Sequence, residues 1–322
     1  MQKIVKRAVI TAAVTLAALS SMTPANAVSV PLSEARIVSH FDAAQGQLPE
    51  NAVIGRHGSV YVTFAAARQV ARVDRDGTTH ILATLPAPAD GGAGTPVLGF
   101  ALTTGIARTD DGSLYVLYAT GTSELTGLWR LKPGQDKAER IAALPADGLP
   151  NGLAYDSRTR AFYITDSVLG TVWSVPQQGG KATAWSTAPE LAERNFLGAN
   201  GIRVHQGALW VTNLDQGTVL SFPLHSRHRG AAPTVRASGL EGIDDFAFTG
   251  RGNELIAALN VPNKVVRVTS GGASSAVLDA SDGLENPSSV AVDGQNIYVT
   301  NSAYHTATDP NLLRAKLDRH GR

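Results

Sequence analysis

Six residues with oxygen-bearing side chains recur along the chain, each beside a short apolar segment: Glu50, Thr104, Asn151, Asn200, Asp244 and Ser288. They comprise two carboxylates, two carboxamides and two hydroxyls, without any Lys, Arg or His. Calcium accepts six to eight oxygen ligands, amide carbonyls included, whereas zinc and copper favour His or Cys. If the fold brings the six residues together, the set predicts a site for calcium or another hard divalent cation.

Each of these positions also has an ordinary structural explanation. Asn and Asp ahead of a strand often act as turn residues, and Asn-Gly is a common turn pair without any function. Glu50 fits this explanation less well, because Glu forms turns poorly. Two buried carboxylates without a cation would cost several kcal/mol, or one of them would have to stay protonated. A bound metal removes that conflict for Glu50 and Asp244.

The spacing of the six residues indicates an internal repeat. The segment "GLPNGLAYDSRTRAFYITDS", residues 148–167, reads as an apolar strand, a polar turn and a second strand, and similar segments surround the other five markers at spacings of 54, 47, 49, 44 and 44 residues. Two further strands follow most of these pairs, as in "RQVARVD" with "THILATL". Four antiparallel strands per repeat at such a period predict an all-β fold, a six-bladed β-propeller.

The ends of the sequence predict how the ring closes. The sixth repeat has strands near residues 290–292, 297–300 and 312–317 and then lacks a fourth. The segment "EARIVSHF", residues 34–41, precedes the first repeat and has no other partner. We therefore expect this N-terminal strand to complete the last blade, which removes an exposed sheet edge.

In a propeller the innermost strands line a central channel, so the six markers should meet at one of its mouths. A second set follows the second strand of each repeat, and it mixes apolar and polar residues as small-molecule pockets do: Phe64, Tyr118, Asp166, Asn213, Asn260 and Asn301. Every member of this second set except Asn260 is predicted to bind substrate. Three further residues are predicted to do the same: Thr104, Ser288 and His305. The alternative is that Asp166 and Asn301 cap turns and that His305 is an idle surface residue.

Two long connections, residues 86–103 and 187–198, run directly into marker residues. They should therefore lie at the same mouth and shape its entrance.

Composition and the first residues restrict the class of protein. Residues 1–27 have three basic residues, a short apolar run and Ala-Asn-Ala, which predicts a secretory signal peptide and a periplasmic or extracellular protein. Residues 28–322 are predicted to form one propeller domain without another membrane-spanning stretch. The chain has no cysteine, which excludes disulfides, and its 28 basic and 27 acidic residues give no basic excess for nucleic acid. Small molecules are the expected partners.

The segments "LPNGLAYD", "YITDSVLGTVWSV", "ANGIRVHQGALWVTN" and "LPEN" resemble the gluconolactonase and senescence-marker-30 family of six-bladed propellers over nearly all of residues 28–322. The order Glu, Asn, Asn, Asp is also similar to the paraoxonases and the squid-type fluorophosphatase. The resemblance implies a calcium-dependent lactonase with Glu50, Asn151, Asn200 and Asp244 as metal ligands.

The chain departs from the sugar lactonases at two points. Their Arg-x-Asn-Asp-Gly stretch is replaced by "ALTTGIA", and Asn200 stands where they have an aspartate. A hydrophobic lactone or ester therefore fits better than a sugar lactone. In that reaction the metal would polarise the carbonyl, and Asp244, or its neighbour Asp245, would act as base or nucleophile.

A second class of function stays open at this point. The repeats also resemble blades of the NHL type, as in "PSSVAVDGQNIYVTN", which mainly bind partners without chemistry. Because one fold hosts many functions, the fold does not decide between the two. The acid and amide set on the channel axis favours the enzyme, since a binding scaffold has no need of it.

Overall fold

The computed structural model describes residues 32–224 and 232–317, which form six four-stranded antiparallel sheets. Four short 3-10 helices accompany them, at Ala43–Gln45, Arg56–Gly58, Pro189–Leu191 and Ala280–Asp282. The predicted signal peptide, residues 1–27, lies outside the described residues. Within the described part of the chain, no helix is long and apolar enough to cross a membrane.

Each blade has the same order of strands from the channel outwards. The innermost strands are β2 (Pro49–Ile54), β6 (Leu102–Arg108), β10 (Pro150–Asp156), β14 (Ala199–His205), β18 (Ile243–Phe248) and β22 (Pro287–Asp293). The second strands are β3 (Val60–Phe64), β7 (Leu114–Ala119), β11 (Ala161–Asp166), β15 (Ala208–Asn213), β19 (Leu255–Leu259) and β23 (Asn296–Asn301).

The third strands are β4 (Gln69–Val73), β8 (Gly127–Leu131), β12 (Thr171–Pro176), β16 (Thr218–Pro223), β20 (Lys264–Val268) and β24 (Asn311–Leu317). The outer strands are β5 (Thr79–Thr84), β9 (Glu139–Ala143), β13 (Thr183–Ser186), β17 (Thr234–Ala237), β21 (Ser274–Leu278) and the N-terminal β1 (Leu32–His40). The prediction of six blades with four antiparallel strands each is confirmed.

The last blade takes its outer strand from the start of the chain. Strand β1 pairs antiparallel with β24, from Leu32 opposite Leu317 to His40 opposite Asn311. The predicted closure by an N-terminal strand is therefore present, and β24 is covered on both edges.

The hydrophobic core is divided among the interfaces between blades. Strands with alternating or continuous apolar residues bury both faces of each sheet, and each of six apolar clusters combines residues of two neighbouring blades. A seventh cluster lies in the loops at one end of the channel, around Leu102, Leu149 and Leu197. The blades thus form one rigid ring, and this seventh cluster surrounds the mouth at which the markers lie.

Candidate metal centre

The six marker residues lie at the start of the innermost strands, within the first three residues of each strand rather than just ahead of it. At this point the pairing of the innermost strand with the second strand shifts register in every blade, for example between Pro150 and Leu153. A register shift of this kind bends a strand and re-aims side chains that would otherwise follow the pleat. The bulge explains how one position per blade turns towards the axis.

Hydroxyl groups of one blade hold the marker backbone of the next. Thr63 Oγ1 donates to the carbonyl of Thr104 (2.6 Å), Thr212 Oγ1 donates to the carbonyl of Asp244 (2.8 Å), and Thr165 makes the same bond to Asn200. Since each bond joins two blades at the axis, it fixes the marker relative to its neighbours. The arrangement pre-organises the ring before any ligand binds.

Glycine follows three of the markers because neighbouring blades approach closely there. A Cβ atom at Gly152 would lie 2.3 Å from the carbonyl oxygen of Asn200, and one at Gly201 would lie 2.5 Å from Asp245 Oδ1. No side chain fits at such distances. The Asn-Gly pairs of blades 3 and 4, which resemble turn signals in the sequence, are therefore close-packing positions on the channel axis.

Four of the six markers line one cavity, which we call the upper cavity: Glu50, Asn151, Asn200 and Asp244. It has a volume of about 230 Å³, and the rest of its wall is mostly apolar: Leu98, Phe100, Leu102, Leu149, Phe196, Leu197, Leu214, Val261, Asn260, Tyr304 and His305. The four markers are buried, with 2% to 7% of their surface exposed. A small polar floor thus lies beneath an apolar wall.

Burial and nearby negative charges disfavour the ionised forms of the two carboxyl groups of this floor. Burial raises the pKa of Glu50 from 4.5 to about 7; a hydrogen bond from Tyr304 opposes the rise, and the charge of Asp245 adds to it. Burial also raises the pKa of Asp244 well above its usual value, with contributions from Glu50 and Asp245, while a hydrogen bond from Asn200 opposes it. Among the described residues that line the cavity there is no Lys or Arg. The floor therefore holds two carboxyl groups whose ionised forms no protein cation in the described lining stabilises.

Tyr304 is a site residue that the repeat pattern did not predict. Its hydroxyl donates to Glu50 Oε2 at 2.5 Å, and burial followed by the charge of Glu50 raises its pKa well above 10.0. The residue lies in the loop between β23 and β24, outside the repeated positions. The only indication of Tyr304 in the sequence is its place in "NSAYHTATDPN", directly before His305.

The structure turns the two hydroxyl markers away from the upper cavity. Thr104 Oγ1 donates to the carbonyl of Pro150 and Ser288 Oγ to the carbonyl of Pro49, both at 2.8 Å. Each hydroxyl is almost fully buried and bonded to the next blade. Thr104 and Ser288 thus join blades, as Thr63 and Thr212 do, and neither is among the described residues that line the upper cavity.

The second predicted ring is mostly engaged within the protein. Phe64 packs edge-on against Phe41, and Tyr118 Oη donates to the carbonyl of Pro86 at 2.7 Å. Asp166 accepts hydrogen bonds from backbone amides of its own turn, including that of Leu169. None of these three side chains is among the described residues that line the upper cavity.

Asn213 and Asn301 have the same kind of role as Asp166. Asn213 Nδ2 donates to the carbonyls of Glu190 and Ala192, and Asn301 Oδ1 accepts from the amide of Glu285. They differ from the expectation because a side chain at the end of the second strand reaches the backbone of the adjacent loop that leads into an innermost strand, and it does not reach the axis. Of the second ring only Asn260 lines the upper cavity.

The two long connections and His305 do reach this mouth. Leu98 and Phe100 come from residues 86–103, Phe196 and Leu197 come from residues 187–198, and all four line the upper cavity together with His305. Phe196 and Val261 remain 46% and 65% exposed, so they form the rim. The entrance is therefore apolar, but its apolar side chains are not Phe64 and Tyr118, which were predicted to contact a hydrophobic substrate.

The donor set fits calcium in type and charge. Glu50 and Asp244 supply carboxylate oxygens, Asn151 and Asn200 supply amide oxygens, and calcium accepts both kinds. The Asn151 amide makes no hydrogen bond within residues 32–224 and 232–317, so its oxygen is available. In the same ranges no group of three or more His, Cys, Asp and Glu side chains converges. The predicted calcium ligands therefore comprise two carboxylates and two amides.

A second polar cluster, which we call the plug, lies further along the innermost strands than the markers of the upper cavity, by one residue at Asn51 and Asp245. Asp245 Oδ2 accepts hydrogen bonds from Arg203 Nη2 (2.5 Å), Ser289 Oγ (2.7 Å) and Asn51 Nδ2 (3.2 Å). Asp245 is 1% exposed, and it is absent from the lining of the upper cavity. Its Oδ2 thus forms an ion pair, which Glu50 and Asp244 lack among the described residues, whereas its Oδ1 is buried without a hydrogen-bond partner there.

The fold of the chain is shared with solved structures at low sequence identity. A gluconolactonase from Xanthomonas campestris superposes with a TM-score of 0.65 at 17% identity, covering 91% of this chain and 93% of that one. A calcium-binding protein, regucalcin from Agrobacterium tumefaciens, gives 0.65 at 14% identity, with coverage of 90% and 96%. The virginiamycin B lyase of Staphylococcus aureus gives 0.59 at 15% identity, with coverage of 88% and 100%.

No protein-family model matches the chain, and no curated protein sequence matches it. The similar structures include a lactonase and a lyase, two different activities, so at this identity they show the fold alone. The chemistry of the upper cavity therefore decides which activity the molecule can support.

Proposed function

We propose that the protein is a calcium-dependent hydrolase of apolar lactones or esters, acting in the upper cavity. The observation that carries the proposal is the pair Glu50 and Asp244, two buried carboxylates without a cationic partner at the base of an apolar cavity. Such a pair is costly unless a cation joins it. The structural similarity to a gluconolactonase and to a calcium-binding protein supports the same proposal.

Glu50, Asn151, Asn200 and Asp244 would hold the ion. When bound, calcium supplies a Lewis acid that polarises a substrate carbonyl and stabilises the oxyanion formed on it. The raised pKa of the two carboxylates in the metal-free protein means that binding displaces protons, so affinity should increase with pH.

The apolar wall orients the substrate. Phe100 and Phe196, on two different loops, would contact its apolar part and keep bulk water from the floor. The cavity offers no arginine for a sugar hydroxyl or a phosphate among its described lining residues. This wall selects a hydrophobic acyl or aryl group.

Asp244 is the proposed general base. Its carboxylate faces the cavity and would take the proton of the attacking water, while the Tyr304 hydroxyl holds Glu50 in a fixed orientation. Asp245 fits this role less well, because it is absent from the lining of the upper cavity and its Oδ2 is engaged by Arg203 and Ser289 within the plug. The sequence left both aspartates open, and the geometry favours Asp244.

We also propose that the protein acts outside the cytoplasm, from the signal-like character of residues 1–27. N-terminal sequencing of the protein from the culture or the periplasmic fraction tests this, with cleavage after Ala27 expected.

The test of the enzymatic proposal compares the wild type with Asp244→Asn on a panel of medium-sized lactones and aryl esters. Loss of one general base is expected to lower kcat about 10² to 10⁴-fold. Asp293→Asn, an exposed carboxylate at the far end of β22, is the matched control and should keep full activity.

Because Asp244 is also a proposed ligand, calcium occupancy must be measured in the same samples by elemental analysis. If occupancy returns at high calcium and activity does not, Asp244 has a chemical role. If both return, it is a ligand only. If the calcium-loaded wild type hydrolyses nothing on the panel, the enzyme proposal fails and a binding propeller explains the molecule better.

A further inference from the structure

The opposite end of the channel holds a second cavity, which we call the lower cup. It has a volume of about 450 Å³ and is formed by the last residues of all six innermost strands, such as Ile54, Arg108, Tyr155 and Val292. The markers stand at the first residues of the same strands. The two cavities therefore lie at opposite mouths, and the plug separates them.

The wall of the lower cup is suited to an apolar body. Apart from Tyr155 and two arginines, its lining is aliphatic or aromatic, with Phe248 on one side. The ring of Phe248 stacks on His205 at 3.7 Å between centroids, so it has a fixed orientation. Small-molecule sites commonly have such a wall with a few placed polar groups, and volumes of about 300 to 1,000 Å³.

The two arginines of the cup differ in whether an acidic side chain balances their charge. Arg203 is neutralised by Asp245, and its Nη1 also donates to the carbonyl of Ile202 at 2.8 Å. Arg108 forms no ion pair with any residue in the described ranges, and its Nε atom is buried without a hydrogen-bond partner. The cup lining contains no acidic residue. Arg108 is therefore a cation without a counter-ion at the edge of an apolar cavity.

The surroundings of Arg108 reinforce this charge. Arg108 also borders a groove lined by Arg56, Arg72 and Arg75, in which Asp74 is the acidic residue. Asp74 is already engaged by Arg72 at 2.8 Å and by His80 at 3.1 Å. The groove leaves a net positive charge beside the cup, which attracts anions.

From this geometry we infer that the lower cup binds an organic anion with an apolar body, the anionic group on Arg108 and the body along the wall beside Phe248. A charge-assisted hydrogen bond from the Arg108 guanidinium group to the anion would supply the counter-ion that this arginine lacks within the described residues. The site is independent of the upper cavity and of the proposed hydrolysis, because it shares no lining residue with the metal centre.

The test uses octanoate as the probe, titrated calorimetrically into the full protein in the presence of a chelator. The chelator keeps calcium from drawing the carboxylate into the upper cavity. Trp210 packs edge-on against Phe248, with centroids 5.1 Å apart, so the part of the emission that is lost in Trp210→Phe gives a second and local readout. Binding that weakens with added salt and shifts the tryptophan emission is expected.

Arg108→Met keeps the length of the side chain and removes the charge; we expect it to weaken octanoate binding about 10-fold or more. Arg130→Met in the same blade, whose exposed partner Glu139 keeps Lys132, is the matched control and should bind normally. Val292→Glu places a carboxylate in the cup wall at a half-buried position, and it should abolish binding without unfolding the blade.

Other probes identify the two parts of the ligand. Octanamide should bind at least about 10-fold more weakly than octanoate, and acetate should not bind measurably. The inference is overturned if Arg108→Met binds octanoate as the wild type does, if acetate binds equally well, or if Phe196→Ser at the upper rim is the variant that loses binding. The last result would place the probe in the upper cavity.

Discussion

The two mouths of the channel are built from the same six strands but have opposite chemistry. At the upper mouth two carboxylates and two amides lie beneath an apolar wall contributed mainly by loops. At the lower mouth the strand ends themselves form an apolar cup, and the charged groups are arginines. Between them the plug pairs Asp245 with Arg203.

The difference shows where a repeat can vary without loss of the fold. Strand residues that pack between blades must stay apolar at every repeat, whereas the axial positions face the channel and vary freely. In this chain the axial acids fall into two kinds. Glu50 and Asp244 lack a cation, and Asp245, one residue further along the channel, has one. Removal of one carboxylate charge should therefore destabilise the metal-free protein at Asp245 and stabilise it at Glu50.

The largest expected effect is that of Asp245→Asn in the plug. Removing one partner of a buried ion pair leaves Arg203 uncompensated, and we expect the free energy of unfolding to fall by roughly 3 kcal/mol, since the arginine retains 23% exposure. Urea denaturation at about pH 5.5 with a chelator measures it, because Glu50 is then largely protonated. The exposed Asp293→Asn should have no effect, and equal stability of the two variants would show that the plug is not a stabilising pair.

Gly201→Ala should destabilise the fold by about 2 kcal/mol through overpacking. The new methyl group would lie 2.5 Å from Asp245 Oδ1 and 2.8 Å from its Cα, on the fixed backbone of the next blade. Gly271→Ala is the control, since the nearest atom there is 3.9 Å away and the backbone is not left-handed. Thermal unfolding of both variants is sufficient, and a Gly201 variant as stable as the control would contradict the close approach of the blades.

Glu50→Gln should have the opposite sign to the plug variant and stabilise the metal-free protein by about 1 to 2 kcal/mol at pH 8. The folded-state pKa of about 7 lies above the unfolded value near 4.5, so the wild type loses stability as pH rises through this window. Glutamine does not titrate, so the variant should show a weaker pH dependence and converge with the wild type near pH 4.5.

The same Glu50 variant tests the metal centre when calcium is present. Calcium should raise the melting temperature of the wild type by mass action and that of Glu50→Gln much less. Calorimetry with calcium and with chelator, at equal pH, measures both. A wild type that calcium does not stabilise would leave the markers as structural residues only.

The smallest expected effect is that of Tyr304→Phe, about 1 kcal/mol at pH 8. The variant loses one hydrogen bond to an ionised carboxylate, which moves the pKa of Glu50 further upwards. The midpoint of the pH dependence of stability in chelator should shift up by less than about one unit. Tyr298→Phe, on strand β23, is the control. A downward shift would mean that Tyr304 does not donate to Glu50.

The sequence predicted the fold and the floor of the upper cavity because both follow from a repeat. The alternation of apolar residues determines each blade, and one position per blade faces the axis, so Glu50 and Asp244 could be brought together across 194 residues. The closure of the ring by β1 was predicted in the same way, from a count of strands. Whether the floor binds calcium stays a prediction.

Positions outside the repeat, or with local partners, could not be predicted in this way. Tyr304 lies in a loop whose path depends on the rest of the fold, and Asp166 and Asn213 bond to the backbone of nearby loops. Arg203 and Arg108 follow Asn-Gly and Thr-Gly pairs on innermost strands. A charged residue within an innermost strand is unusual for a buried element, and this feature of Arg108 and Arg203 could have indicated polar groups in the channel.

The pairing of β1 with β24 has a consequence for the order of assembly. On the ribosome β1 emerges before, and β24 after, every other strand of the ring. Until synthesis reaches Leu317, the first strand has no partner within its own blade, and closure then joins residues that are almost the whole chain apart. Contacts of such long sequence separation form slowly. The nascent chain should therefore stay protease-sensitive until its last strand is made, with ring closure as the late, rate-determining step.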